Sequence, residues 1–286
     1  MWKPEHFELT IFNSAFIGGR MIHWLFTIFI IFVQIPGEAE AAPDLLKREY
    51  HGFTLWLDCE QHHGAVAFYY KVGADRGNIS PKSARYKYDR KVPLKCQPQS
   101  WRSYRTTTVD PFFGTWDRGH LVSTNHMDNK KAALLDTFLL TNTLPQNSAF
   151  KQSKGAWHQT EIITECYRDI TPLEVWGGVI WGNDTENDFF TGTHGIKTPD
   201  HWWKLIYRLD NKEYVAWVFP NRREATASDI DRFQLSLKDL LTWLDFIPDF
   251  GVIEDLDLDG RKLKPSWPVT QSGEKLTCEG KTTSSG

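Results

Sequence analysis

Apolar and polar positions alternate early in the chain. Phe53, Leu55 and Leu57 stand two apart, which predicts a half-buried strand over residues 52–58. Ala65-Val66-Ala67-Phe68-Tyr69-Tyr70-Lys71-Val72 is a denser run and predicts a second, more buried strand, reached through a Gln61-His62-His63-Gly64 turn. Ala132, Ala133, Leu134 and Leu135 predict a short helix within residues 128–137. Residues 138–141 then read as a strand running into a polar loop, because Pro145 interrupts both ladders and helices. Trp157, Ile162 and Cys166 recur at helical spacing, so a helix runs from Gly155 to about Tyr167. Residues 173–182 predict a central strand whose Gly177 and Gly178 let neighbours pack close. Two further strands, 202–209 and 213–219, flank an Asp210-Asn211-Lys212 turn. Ser228-Asp229 caps the region that leads to a helix over 237–244. With no βαβ rhythm, the pattern predicts an α+β fold: a mainly antiparallel sheet core with flanking helices.

The two ends differ from this body. Arg20 precedes a short apolar run, residues 22–33, followed by Pro36, Gly37 and an Ala39-Glu40-Ala41 step. That order fits a secretory signal peptide over residues 1–41, cut after Ala41; an uncleaved signal anchor is the alternative, and a mitochondrial presequence fits less well because arginines are scarce. Residues 42–49 read as a polar lead-in, 50–265 as the main domain and 266–286 as a flexible tail rich in Ser, Thr, Gly and Lys. Four cysteines agree with an oxidising compartment and export, and no CxxC spacing suggests zinc. Three pairings are open; Cys59–Cys96 with Cys166–Cys278 is preferred because the second ties the tail to the body. Asn78-Ile79-Ser80 and Asn183-Asp184-Thr185 become glycosylation acceptors in a eukaryotic, exported chain.

The formal net charge of −3 announces no polyanion partner, so any such binding rests on local charge: Lys82, Arg85, Arg90, Lys91, Arg102, Arg105 and Arg118 are the candidates. Several tempting motifs fail. His62 and His63 lack a carboxylate or thiol at ligand spacing, Gly177-Gly178 lacks GxxxxGK[ST], and Asp255-Leu256-Asp257-Leu258-Asp259-Gly260 ends its would-be calcium loop on Ser266.

The chemistry concentrates between Trp116 and Glu165. Asp117-Arg118-Gly119-His120 sets an acid, a guanidinium and a titratable imidazole together, and Asn125-His126-Met127-Asp128 follows. Thr141-Asn142-Thr143-Leu144-Pro145-Gln146 and then Gly155-Ala156-Trp157, with Glu161 four residues on, complete four ordered blocks. A base for water, a cation for phosphate and oxygen ligands for a metal suit phosphodiester hydrolysis.

In these blocks, over roughly residues 50–250, the chain resembles the DNA/RNA non-specific endonucleases, the family of the Serratia nuclease and endonuclease G. The resemblance implies a ββα-metal (His-Me finger) site, Mg²⁺ or Mn²⁺ as cofactor, and DNA and RNA as partners without sequence preference. It implies His120 as the general base, Arg85 on phosphate, Arg118 (pointing the other way along its strand) on phosphate or the metal-bound waters, and Glu161 on a metal-bound water. Asp117 would anchor the loop, with Asn142 and Gln146 in support. Lasting membrane contact is not expected of a cleaved, secreted chain.

The resemblance breaks at the metal. The family's asparagine ligand, two residues before the Gly of the Gly-x-Trp block, is here Ser153, and the loop from Pro145 is two residues longer than usual. Ser153 could coordinate through its hydroxyl, Asn147 or Gln152 could swing in, or metal binding is impaired, with Lys154 competing for the site. Ser123 and Thr124 also stand where Pro-Ala is common. The sequence therefore predicts a sugar-non-specific nuclease, with a weakened or inactive homologue that binds nucleic acid or a protein partner as the alternative.

Overall fold

The computed structural model describes residues 14–17, 20–23, 44–74, 77–105, 113–248, 250, 267–272 and 275–279. The chain forms two compact units, residues 1–41 and 42–286. The first holds an antiparallel pair, β1 (Ser14–Ile17) and β2 (Arg20–His23). Most of the expected export signal lies outside the described residues, as does the calcium-like run 255–260. No described helix is long and apolar enough to cross a membrane.

The strands of the second unit are β3 (Leu45–Glu49), β4 (Thr54–Asp58), β5 (Gly64–Val72), β6 (Trp116–His120), β7 (Thr143–Asn147), β8 (Leu173–Ile180), β9 (His201–Arg208), β10 (Tyr214–Pro220), β11 (Val269–Ser272) and β12 (Lys275–Cys278). Its helices are α1 (Lys131–Asp136), α2 (Ser148–Lys151), α3 (Ala156–Tyr167), α4 (Thr191–His194) and α5 (Leu237–Trp243). Six strands form one antiparallel sheet in the order β10-β9-β8-β5-β4-β3, while β6 pairs with β7 and β11 with β12. The α+β prediction with an antiparallel core is thus what the chain adopts.

Alternation along the strands splits the apolar residues between the two faces of the sheet. Phe68, Tyr70, Trp202, Ile206 and Trp217 join one core with Trp157 and Ile163 of α3. Ala67, Trp176, Trp203, Leu205 and Val218 join the other with Leu237 and Leu240 of α5. The sheet is tightest at β8: a Cβ on Gly177 would lie 2.3 Å from Phe68 Cζ, and one on Gly178 would lie 2.1 Å from Val66 O.

Four readings need correction. Residues 45–49 are the edge strand β3, not a lead-in; its exposed Lys47 and Glu49 suit an edge that must not recruit another strand. Residues 138–141 do not make a strand, since Leu140–Asn142 is a single 3-10 turn. The strand comes later, as β7, with Pro145 opposite Arg118; β7 is paired along one side only, where a missing N–H can face away from the ladder. The helix cap is Ser236, whose hydroxyl accepts Asp239 N–H at 3.1 Å, whereas Ser228 and Asp229 lie within a 3-10 helix, Ala227–Phe233. Finally, the expected flexible tail contains the β11–β12 hairpin, held by Cys166–Cys278 and by Trp267 against Tyr167 at 5.0 Å. The other disulfide is Cys59–Cys96.

Gly155 joins α2 to α3 at a point with no room for a side chain. A Cβ there would lie 1.9 Å from Phe150 O and 2.4 Å from Ala149 O, both backbone atoms. Gly155→Ala should therefore cost about 3 kcal/mol or more, through backbone displacement at an overpacked site. Urea denaturation of both proteins measures it, and a loss under about 1 kcal/mol would contradict the close approach.

Candidate active site

The site is assembled on a β6–β7 ribbon followed by α2 and α3. Along β6, Trp116, Asp117 and Gly119 are buried while Arg118 and His120 are partly exposed, so the last two share a face. Arg118 does not point away from His120, because residues two apart on a strand face the same side. Gly119 makes room for Gln146 across the ribbon: a Cβ there would lie 2.5 Å from Gln146 Cβ. Gln146 is accordingly buried against the strand.

Tyr86 joins Arg118 and His120. The Arg118 guanidinium lies 3.8 Å from the centre of the Tyr86 ring, and the Tyr86 hydroxyl is 3.4 Å from His120 Nε2. Phe138 closes the other side, 5.5 Å from the imidazole. Burial in this setting pushes the His120 imidazole down to about 4, helped by the charges of Lys151 and Arg118 and opposed by Glu161. His120 is therefore neutral at physiological pH.

Lys151, at the end of α2, donates to Arg118 O at 2.6 Å and places an ammonium against the ribbon. Asp117 fills the anchoring role. It accepts from Arg105 Nε and from Gln152 Nε2, each at 3.0 Å. Burial raises the Asp117 carboxyl, but these bonds and the Lys151 charge outweigh it and hold the group ionised. Asn142 clamps the backbone after His120: its amide donates to Val122 O and Thr137 O and its carbonyl accepts Val122 N–H, each at 3.0 Å.

Glu161 sits on α3, with His158 Nδ1 3.5 Å from its Oε2. Burial raises its carboxyl, yet the His158 bond and the charge of Lys204 win and keep it below its ordinary value. Lys204, buried in β9, donates to Thr160 Oγ1 at 2.8 Å and lies 3.7 Å above the Trp157 ring. His126 bridges Tyr70 OH at 2.7 Å and Glu161 O at 3.2 Å; a neutral ring with its proton on Nε2 satisfies both. Burial depresses its imidazole to about 3.

The fold thus gathers His120, Arg118, Asp117 and Gln146 on one ribbon, with Asn142 in the turn that leads into β7 and Glu161 electrostatically coupled from α3. Arg85 is not joined to them. Its guanidinium donates to Lys82 O and Ala84 O of its own loop, and no hydrogen bond or ion pair links it to His120, Arg118 or Glu161 among the described residues. Asn147 does not fit as a metal ligand: its amide donates to Phe113 O, and its carbonyl oxygen caps α2 through Ala149 N. Gln152 is engaged with Asp117, and Ser153 is exposed. Lys154 is exposed as well; the inward lysine is Lys151. Sequence reading passed over Tyr86, Lys151, His158 and Lys204. Lys204 alone left a signal, a lone charge in the apolar run Trp202-Trp203-Lys204-Leu205-Ile206, which requires a buried partner.

Because Lys151 holds the His120 proton affinity down, Lys151→Met should raise the imidazole titration point from about 4 toward its ordinary value near 6.5. An NMR titration of the His120 ring protons reads it directly. An unmoved midpoint would show that the ammonium does not act on the imidazole.

Residues 42–243 match the family model for DNA/RNA non-specific endonuclease. The Mus musculus protein "Nuclease EXOG, mitochondrial" is 27% identical over 196 residues, covering 63% of this chain and 50% of the relative. The Homo sapiens protein of the same name is 24% identical over 199 residues, with the same coverage. The chain thus spans about half the length of the curated relatives it matches. A chain of the crystal structure of the EndoG/EndoGI complex shares the fold at a TM-score of 0.56, with 17% identity, covering 69% of this chain and 82% of its own. With the whole six-stranded sheet and the whole ribbon–helix site inside the matched span, the chain belongs to the DNA/RNA non-specific endonuclease family.

Proposed function

We propose that this chain hydrolyses phosphodiester bonds of DNA and RNA without sequence preference, with His120 as the general base. The observation that carries this reading is a neutral imidazole on the same strand face as a guanidinium, beside a half-buried ammonium and within electrostatic range of an ionised carboxylate. His120 takes a proton from water, and the resulting hydroxide attacks phosphorus in line. Negative charge gathers on the phosphoryl oxygens, where Arg118 is placed to receive it and Lys151 adds to the field. The bond to the leaving sugar oxygen breaks, and that oxygen takes a proton from solvent. These cations address phosphate and not base edges, so neither sugar nor sequence is read. Two disulfides are compatible with export, which we propose as the destination; the relatives' printed names place those proteins in mitochondria.

Membership of the family implies a divalent metal ion. The residues of this chain do not fit an ion held directly at the expected position. Ser153 is an exposed hydroxyl, the Asn147 amide is buried and engaged with Phe113 O and Ala149 N, the Gln152 amide is tied to Asp117, and the Lys151 ammonium adds repulsion. No described cluster of three or more His, Cys, Asp or Glu offers another place. This favours a second reading, a homologue in which Mg²⁺ or Mn²⁺ is held weakly and turnover is low.

His120→Ala should lower plasmid nicking by ~10²-fold or more while the thermal midpoint stays near that of the parent chain. Nicking near the parent rate would sink the base assignment. Arg118→Ala should slow cleavage of DNA and RNA to the same degree, and a loss confined to one sugar would count against phosphate recognition.

The metal reading has its own test. Ser153→Asn combined with Lys151→Ala restores an amide carbonyl and removes the competing cation. Mn²⁺ binding followed by electron paramagnetic resonance should tighten by roughly 10-fold, within the range seen when groups around a metal are altered. Equal and tight binding by the parent chain would mean that the longer loop supplies a ligand of its own.

A further inference from the structure

Beside the candidate site lies an open cleft of about 930 Å³. Tyr86 and Trp101 line it together with Tyr88, Lys87, Arg90 and Lys91. Trp101 is 60% exposed, an unusual position for the largest apolar side chain. It is also held in place. Its carbonyl accepts Arg118 at 2.6 Å, and its ring meets Tyr88 edge-on at 5.8 Å. Tyr88 is anchored in turn by its hydroxyl, which donates to Gln99 O at 2.6 Å.

The charges of the cleft are sorted. Its acids already have partners: Asp89 is bound by Arg48 and Tyr50, Asp136 by His51, and Glu49 by Lys47. Lys87, Arg90 and Lys91 are exposed and make no ion pair among the described residues. The cleft therefore offers an ordered aromatic ring beside unspent cations. It is continuous with the site through Tyr86, which lies on its wall, under the Arg118 guanidinium and against His120.

We propose that this cleft is a strand-binding subsite in which Trp101 stacks an unpaired nucleobase of the substrate while Lys87, Arg90 and Lys91 hold the adjoining phosphates. The proposal rests on the hydrolase reading and goes further, because a base stacked on Trp101 must leave its own duplex. Single strands, frayed ends and loops are then gripped more tightly than closed duplex. Stacking tolerates any base, so the subsite adds strand-state selectivity without adding sequence preference.

Binding measured on the full chain separates this from catalysis. Fluorescence anisotropy would follow a labelled phosphorothioate oligothymidylate, which resists hydrolysis, and a loop-free phosphorothioate duplex whose ends are clamped by G·C pairs. Trp101→Ala should weaken the single strand by about 5- to 100-fold and the duplex by less than about 2-fold, whereas Trp101→Phe should keep most of the affinity. Exchanging Lys87 and Lys91 for Ala should flatten the salt dependence of single-strand binding. Equal losses on both ligands, or no loss from Trp101→Ala in a chain with an unchanged circular dichroism spectrum, would overturn the subsite. These outcomes do not depend on hydrolysis: a chain that cuts nothing yet loses single strands on Trp101→Ala would refute the catalytic reading and keep this one.

Discussion

Two close backbone approaches, at Gly119 and Gly155, decide where every reactive group can stand. At Gly119 the missing side chain lets Gln146 lie against β6, which draws the ribbon shut behind Arg118 and His120. At Gly155 the carbonyls of Ala149 and Phe150 occupy the space a Cβ would need, so α2 and α3 meet at a fixed angle beside the ribbon. The same junction brings Lys151 to the backbone of Arg118 and sets Glu161 within electrostatic range of His120. Trp157 continues the arrangement into the sheet, 4.9 Å from Trp202 and beneath the Lys204 ammonium.

On this frame the electrostatics are unequal in a useful way. Burial alone would raise both carboxyls and lower every base. Asp117 and Glu161 escape because each is bonded to a donor and lies near a cation. His120 does not escape, since Lys151 and Arg118 add to its desolvation and only Glu161 opposes them. The result is an ionised acid opposite a neutral base, the protonation states that hydrolysis by a positioned water needs. The Lys151 charge lowers proton affinity at His120 and, under the proposed reading, also opposes a metal cation, which ties the unusual loop to the unusual residue at Ser153.

Part of this was legible in the residues themselves. Period-two alternation fixed the sheet strands, and the periodic Trp157, Ile162 and Cys166 fixed α3, because burial of one face is written locally. The order of four polar blocks was enough to find the family and to single out His120, Arg118 and Glu161. What failed did so where non-local pairing overrides local preference. Pro145 argues against a strand on its own, yet it sits in one because β7 has a free side. The polar residues 45–49 carry no apolar alternation, yet β4 recruits them as an edge. The tail is too polar to order itself, but a disulfide and the Trp267–Tyr167 contact hold its hairpin.

The division at the site follows the same reason. Residue types and their spacing along one strand determined that an acid, a guanidinium and an imidazole would be neighbours. Which groups reach them from elsewhere was decided only by packing. Tyr86, Lys151, His158 and Lys204 come from a long connection, a one-turn helix, a helix face and a sheet strand. Their charges and rings act through distances of a few ångströms that no separation along the chain encodes, so proton affinity at His120 is a property of the tertiary structure.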